Sequence, residues 1–162
     1  MRIATRTCAS ATIVFAVMLT LAAGAVTAQA TNPRYGQWRL KSDDPAKPST
    51  NVMTYEPHSG TGMKITINRL NPDGTLTPQW GYTTMFDGKE EPMTGSRAKD
   101  TAAVRMISDR TAEITYRRGG RITQILTNVI SPDGQTLGII YLSLDAEGKT
   151  SRVSFATYER MK

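Results

Sequence analysis

His58 is the only histidine in the 162-residue chain, and it stands in "YEPHSG" (55–60). A lone imidazole works as a general base or a metal ligand only where distant residues converge on it. Its neighbour Ser59 lacks the strand–turn–helix signature of a nucleophile elbow. The acids offer no better start. "FDGKEEP" (86–92) gathers Asp87, Glu90 and Glu91. Glu90 and Glu91 are adjacent, so in an extended chain they point to opposite faces. By themselves they do not make a pair of cooperating carboxylates. The segment reads as a hairpin turn with charged flanks. "SDD" (42–44) and "NPDG" (71–74) lack the spaced oxygens of a calcium loop. "GTGMK" (60–64) lacks the helix that follows a phosphate-binding loop. The expectation is a non-enzyme with no catalytic residue, no cofactor and no metal.

What remains are aromatics and methionines on β-prone segments. They are Trp38, Trp80, Tyr82, Phe86, Tyr116, Tyr141, Phe155 and Tyr158, with Met53, Met63, Met85 and Met106. Apolar walls with a few phenols could line a ligand cavity. The same side chains could fill a small barrel completely. Trp80, Tyr82, Tyr116, Tyr141 and Phe155 are the candidate lining residues.

The segments that carry them alternate with a period of two. "TGMKITINRL" (61–70) puts Met63, Ile65 and Ile67 on one face, and "QWGYTTMF" (79–86) puts Trp80, Tyr82, Thr84 and Phe86 on one face. "TAEITYRR" (111–118) groups Ala112, Ile114 and Tyr116, and "RVSFATYER" (152–160) groups Val153, Phe155 and Thr157. This is the half-buried strand pattern. "NPDG" (71–74), "DG" (87–88), "SDR" (108–110), "GG" (119–120), "SPDG" (131–134) and "AEG" (146–148) separate the runs. Gly, Asp and Pro supply the backbone angles and local hydrogen bonds of tight turns. No helical period persists after residue 31. Many short strands at even spacing predict an all-β antiparallel meander. At roughly eight to ten strands, such a sheet closes on itself or folds into two faces, because either removes exposed edges.

Residues 1–30 are built differently. "MRIATRTCAS" is basic, "ATIVFAVMLTLAAGAV" carries no charge, and "TAQA" ends in small residues. Basic, apolar and small in that order describe a secretory signal peptide. Val26-x-Ala28 and Ala28-x-Ala30 are its cleavage patterns. The apolar stretch is short against the ~20 residues of a spanning helix. Domains of 1–30 (signal) and 31–162 (barrel) follow, with no stable membrane span once the signal is gone. The lone cysteine, Cys8, leaves with the signal, and so do Arg2 and Arg6, which takes the net charge from +6 to +4. The mature domain then has no disulfide and no thiolate chemistry. Its densest basic spot, "RRGGR" (117–121), is interrupted by two glycines. That is not the basic, aromatic-bearing stripe of a nucleic-acid binder.

"YGQWRLK" (35–41) resembles the Gly-x-Trp opening strand of lipocalins and their calycin relatives, and "ATYERMK" (156–162) resembles the closing strand of the fatty-acid-binding branch. Between them "MTYEP", "GMKITI", "FDGKEEPMTG", "DTAAVRM" and "SPDGQTLGI" are similar to small exported bacterial lipocalin-like proteins. The resemblance implies an up-and-down barrel. It implies structural roles for Gly36 and Trp38, with the indole closing the floor under a basic side chain, here Arg160. In the fatty-acid branch an Arg-x-Tyr pair on the last strand holds a carboxylate. Tyr158 matches the tyrosine, but Ala156 stands at the arginine position, so that clamp is broken. The resemblance also turns Ser154, Ala156 and Tyr158 inward, against the apolar face of Val153 and Phe155. A one-residue slip reverses every side chain. Burying Val and Phe is worth about 1.5–3 kcal/mol each, and on that ground Phe155 is expected inside.

The reading is an exported lipocalin-like barrel, periplasmic or extracellular, that binds a small apolar molecule without catalysis. The alternative is a filled barrel that acts through its surface on a protein partner in the envelope, as an interaction or inhibitor module. Interior volume separates them, since ligand pockets start at roughly 300 Å³.

Overall fold

A computed structural model describes residues 32–162. The proposed leader lies outside these residues. Ten strands follow one another: β1 (Gly36–Leu40), β2 (Asn51–His58), β3 (Gly62–Leu70), β4 (Leu76–Thr84), β5 (Asp87–Pro92), β6 (Thr101–Ser108), β7 (Thr111–Arg118), β8 (Arg121–Ile130), β9 (Thr136–Leu144) and β10 (Thr150–Arg160). They form one antiparallel sheet in the order β4-β3-β2-β1-β10-β9-β8-β7-β6-β5. Every ladder joins sequence neighbours except β1–β10, where the two ends of the domain meet. This is an up-and-down β-barrel of the lipocalin/calycin type.

Closure is incomplete between β4 and β5. Gly81 and Thr94 form a single bridge there, exchanging N–H···O bonds of 3.0 and 2.9 Å. Gly95, at φ +74°, lets the chain pass against β4, because a Cβ there would collide with the Gln79 carbonyl. The reading of "FDGKEEP" as a hairpin turn needs correcting. The bend is at Met85 and Phe86, and Asp87 already begins β5. Glu90 does face away from Glu91: its carboxylate accepts from Arg117 Nε at 2.8 Å and from the Thr101 hydroxyl at 2.8 Å.

Alternation places one face of each strand inside. Met63, Ile65, Ile67, Tyr82, Ala112, Ile114 and Tyr116 are buried in the core. The last strand behaves otherwise than its apolar face suggests. Val153 is 51% and Phe155 75% exposed, while Tyr158 is buried. Phe155 therefore does not line the interior. Register decides this. Trp38 pairs with Arg160 and Leu40 with Tyr158 across β1–β10, so an inward Trp38 puts the even-numbered residues of β10 inward. Packing at the ladder outweighs the hydropathy of one strand.

The strands run between two ends. The floor collects residues 32–35, the turns at 59–61, 85–86, 109–110 and 131–135, and the C-terminus. The opposite mouth collects 41–50, 71–75, 93–100, 119–120 and 145–149. Trp38, fully buried, plugs the floor, and its indole N–H donates to the Arg34 carbonyl at 2.8 Å. The Arg160 guanidinium lies 4.1 Å above the Trp38 ring. Its Nε donates to the Gly134 carbonyl at 2.7 Å, Nη1 to Tyr35 at 2.6 Å and Nη2 to Pro33 at 2.6 Å. Gly36, at φ +124°, leaves the space for it, since a Cβ there would stand 2.7 Å from Arg160 Nη1.

Arg160→Met removes three charge-assisted hydrogen bonds and a cation–π contact, and it should cost about 3 kcal/mol or more in urea unfolding. Gly36→Ala should cost about 1–3 kcal/mol through strain and the clash. Phe155→Ser should change stability by less than about 0.5 kcal/mol. A large loss in Phe155→Ser would contradict the inward–outward assignment of β10.

Candidate functional site

Cross-strand register assembles the interior from residues far apart in sequence. Tyr55, Ile65 and Tyr82 lie side by side on β2, β3 and β4. Met53, Ile67 and Trp80 form the next row toward the mouth. On the facing wall Tyr116 pairs with Ala102, Leu126 with Tyr141, and Asn128 with both Ala112 and Ile139. Ala102 and Ala112 are inward and buried, and Ala156 packs against the same core. These three small side chains sit among the large aromatic ones.

The interior holds a cavity of about 150 Å³. Trp80, Tyr82, Tyr116 and Tyr141 line it, together with Tyr55 and Tyr158, which were not among the sequence candidates. The alternation of "NVMTYEP" was a usable signal for Tyr55. Tyr158 lies on the face of β10 opposite Val153 and Phe155, so hydropathy pointed away from it. The volume is about half of the ~300 Å³ at which typical ligand pockets begin. It is also far more than the single water that a filled core would leave. A cavity of this size holds a molecule of benzene scale.

The rings form an edge-to-face cluster. Tyr116 meets Trp80 at 6.3 Å and 86°, and Tyr82 at 5.9 Å and 82°. The Tyr82 and Tyr116 hydroxyls are 3.4 Å apart. Burial pushes the Tyr82 hydroxyl up to about 12 and holds Tyr55 and Tyr116 well above the usual phenol range. Burial also raises Tyr141 and Tyr158. The phenols are therefore neutral at physiological pH and serve as hydrogen-bonding walls.

Two polar groups in the lining stand out. Lys99 reaches in from the loop between β5 and β6. Its Nζ lies 3.8 Å from the Tyr116 ring centroid and 5.3 Å from that of Trp80. It donates to Gln124 Oε1 at 2.9 Å. Desolvation lowers its pKa to about 8, with no carboxylate offsetting that effect. No acid lines the cavity among the described residues. Asn128, deeper on β8, has a buried Oδ1 without a hydrogen-bond partner. Neither residue was legible beforehand, because Lys99 belongs to an aperiodic loop and Asn128 sits in an apolar run.

The other sequence candidates stay apart. His58 ends β2 at the floor, away from Lys99, and Ser59 belongs to the adjoining turn. No group of three or more His, Cys, Asp or Glu could hold a metal ion among the described residues. No helix among them is long and apolar enough to cross a membrane. A second hollow, about 820 Å³, borders the wall of β2–β4 and the β4–β5 seam. Its lining includes Glu56 and Lys64, which pair with each other at 3.6 Å on the surface.

No protein-family model and no curated protein matches the chain. Solved structures do. The fluorescent protein UnaG, wild type, is 14% identical with a TM-score of 0.52, covering 79% of this chain and 97% of its own. An asparagine-to-alanine mutant of UnaG matches at 14% identity and a TM-score of 0.53, covering 80% of this chain and 97% of its own. The likeness shows the fold: the described domain shares a calycin-like barrel with these proteins.

The lowered pKa of Lys99 has a defined consequence for stability. Between about 8 and the ordinary 10.5, the unfolded chain binds more protons than the native one. Native stability should therefore rise with pH across that window, and the burial penalty is constant below it. Lys99→Met should be more stable than wild type at pH 7, by on the order of 1–2 kcal/mol after allowance for solvent screening. The gap should close by about pH 10. Urea midpoints of both proteins at the two pH values check this, and a pH-independent difference would refute it.

Proposed function

We propose that this chain is an exported, non-catalytic barrel that binds a small molecule with an apolar body inside the β-sheet wall. The observation that carries the reading is the cavity of about 150 Å³ ringed by Trp80, Tyr82, Tyr116 and Tyr141. Aliphatic side chains, among them Ile65, Ile114, Leu126 and Ile139, complete its wall and give it an apolar character. The calycin-like fold supports the same reading, since closed antiparallel barrels offer an interior shielded from water. The volume excludes a long acyl chain, in line with Ala156 at the position where the fatty-acid branch has its arginine.

Export rests on the order of charge, hydropathy and small residues in 1–30. The destination is the cell envelope or the medium. Expressed with its own leader, the protein should be recovered with Gln29 or Thr31 as its first residue. An intact mass that retains Arg2 and Arg6 would overturn export by cleavage.

A second reading has one observation of its own. Val129, Ile140, Val153 and Phe155 are exposed on the outer face of β8–β10. Thr127, Ile140 and Phe155 are directly paired there. Contiguous exposed apolar surface favours contact with another macromolecule.

Native mass spectrometry of the mature protein, purified without detergent, separates the two. A defined mass excess that disappears on denaturation supports the cavity reading. It should be absent from the double variant Trp80→Ala, Tyr82→Ala. An excess unchanged in that variant would place the ligand elsewhere and refute the cavity as its site.

A further inference from the structure

Lys99 is a costly residue for a barrel interior. A partly desolvated ammonium without a counter-ion is unfavourable, and groups of this kind cluster at functional sites. Of its three donors, one is used on Gln124. The faces of Tyr116 and Trp80 hold the charge in place without neutralising it. Around it the cavity presents neutral phenols, amides and aliphatic side chains, with no carboxylate among the described residues. The interior thus carries one uncompensated positive charge at its mouth side.

Asn128 supplies an independent mark of the same kind. Its Oδ1 is buried and unpartnered, and it belongs to the cavity lining. An orphaned buried acceptor costs stability until a donor reaches it. Asn128 lines the cavity, and Gln124, four residues away on β8, shares its strand parity. At about 3.3 Å per residue their backbones are separated by roughly 13 Å along the strand. A molecule with its acid beside Lys99 and a hydroxyl toward Asn128 spans much of that distance once the two side chains reach in. Its body would lie among Trp80, Tyr82 and Tyr116.

We propose that the cavity recognises a small aromatic acid, with the Lys99 ammonium taking the carboxylate and Asn128 Oδ1 accepting a hydrogen bond from a donor at the far end of the ring. The proposal rests on the cavity reading above. It places the anion site on the β5–β6 loop, far in sequence from the last strand, where Ala156 leaves no cationic group. The chemistry distinguishes this acid from a long-chain one by volume and from a neutral apolar molecule by charge.

The test uses 4-hydroxybenzoate and its neutral analogue 4-hydroxybenzamide as probes. Each is titrated into the mature protein while the Trp80 indole N–H and the Asn128 side-chain amide are followed by NMR. The acid should bind wild type at least about 10-fold more tightly than the amide. Lys99→Met should abolish that preference, leaving affinity for the amide within about threefold. Lys99→Arg should retain the preference, which separates loss of charge from damage to the fold. Asn128→Leu should weaken 4-hydroxybenzoate binding more than benzoate binding. Equal binding of acid and amide to wild type, or a preference that survives Lys99→Met, would overturn the role of Lys99 and leave the cavity reading intact. No response from either signal with either probe at roughly 10 mM, a concentration that detects even millimolar binding, would overturn both.

Discussion

Arg160 donates from all three guanidinium nitrogens to backbone carbonyls, at Gly134, Tyr35 and Pro33, while its plane covers the buried Trp38 ring. These partners come from the N-terminal segment, the β8–β9 turn and β1. A single side chain near the C-terminus thus ties the first residues of the domain to the last strand. The geometry needs a guanidinium, since an ammonium cannot serve three fixed directions and still stack on an indole. It also needs Gly36, because any Cβ at that position would fill the space of Nη1. With the floor fixed in this way, β1 and β10 can be joined in one register only.

That register carries through the barrel. Trp38 opposite Arg160 and Leu40 opposite Tyr158 settle which face of β10 is inside. The same parity then runs through β9 and β8, bringing Tyr141, Asn128 and Leu126 inward. On the other side it runs through β2, β3 and β4 to Tyr55, Ile65 and Tyr82. The cavity depends on this register: shifting β10 by one residue would turn Tyr158 outward and Phe155 inward. At the far end the sheet is weakest, with one bridge between β4 and the chain after β5. Lys99 sits in the loop that follows this bridge and lies against Trp80 of β4, so the charged group of the cavity is also a contact across the seam.

The interior combines features that oppose each other energetically. Aromatic edge-to-face contacts and buried aliphatic side chains stabilise it. A lysine without a counter-ion and an asparagine oxygen without a donor destabilise it. Sequences under selection for stability alone would replace both with apolar residues of similar volume. Their presence in one cavity lining is the physical reason for the proposal that the interior is a binding site and not a loosely filled core. The outer face of β8–β10 is the other place where hydropathy and position disagree. Phe155 and Val153 are exposed there because the register leaves them no alternative.

The all-β architecture was readable from period-two alternation and turn chemistry, since both are local properties of the chain. The inward faces of β3, β4 and β7 were readable for the same reason: their apolar and aromatic residues share one parity. The roles of Gly36, Trp38 and Arg160 in the floor were expected from the resemblance of the two ends of the domain to known barrels, and the contacts among these three exist only in the folded chain. Local pattern could not decide β10, where Val153 and Phe155 compete with Ala156 and Tyr158 for the interior. Only pairing with β1 resolves that, and pairing is a long-range contact. Nor could it find Lys99 or Asn128, because a loop lysine and a strand asparagine become unusual only when folding removes their water and brings no partner. Local pattern was enough for an antiparallel all-β sheet that hides its edges, and the resemblance of its two ends made that sheet a barrel. The tertiary structure decided what the barrel holds in its interior, because desolvation, register and volume exist only once distant strands meet.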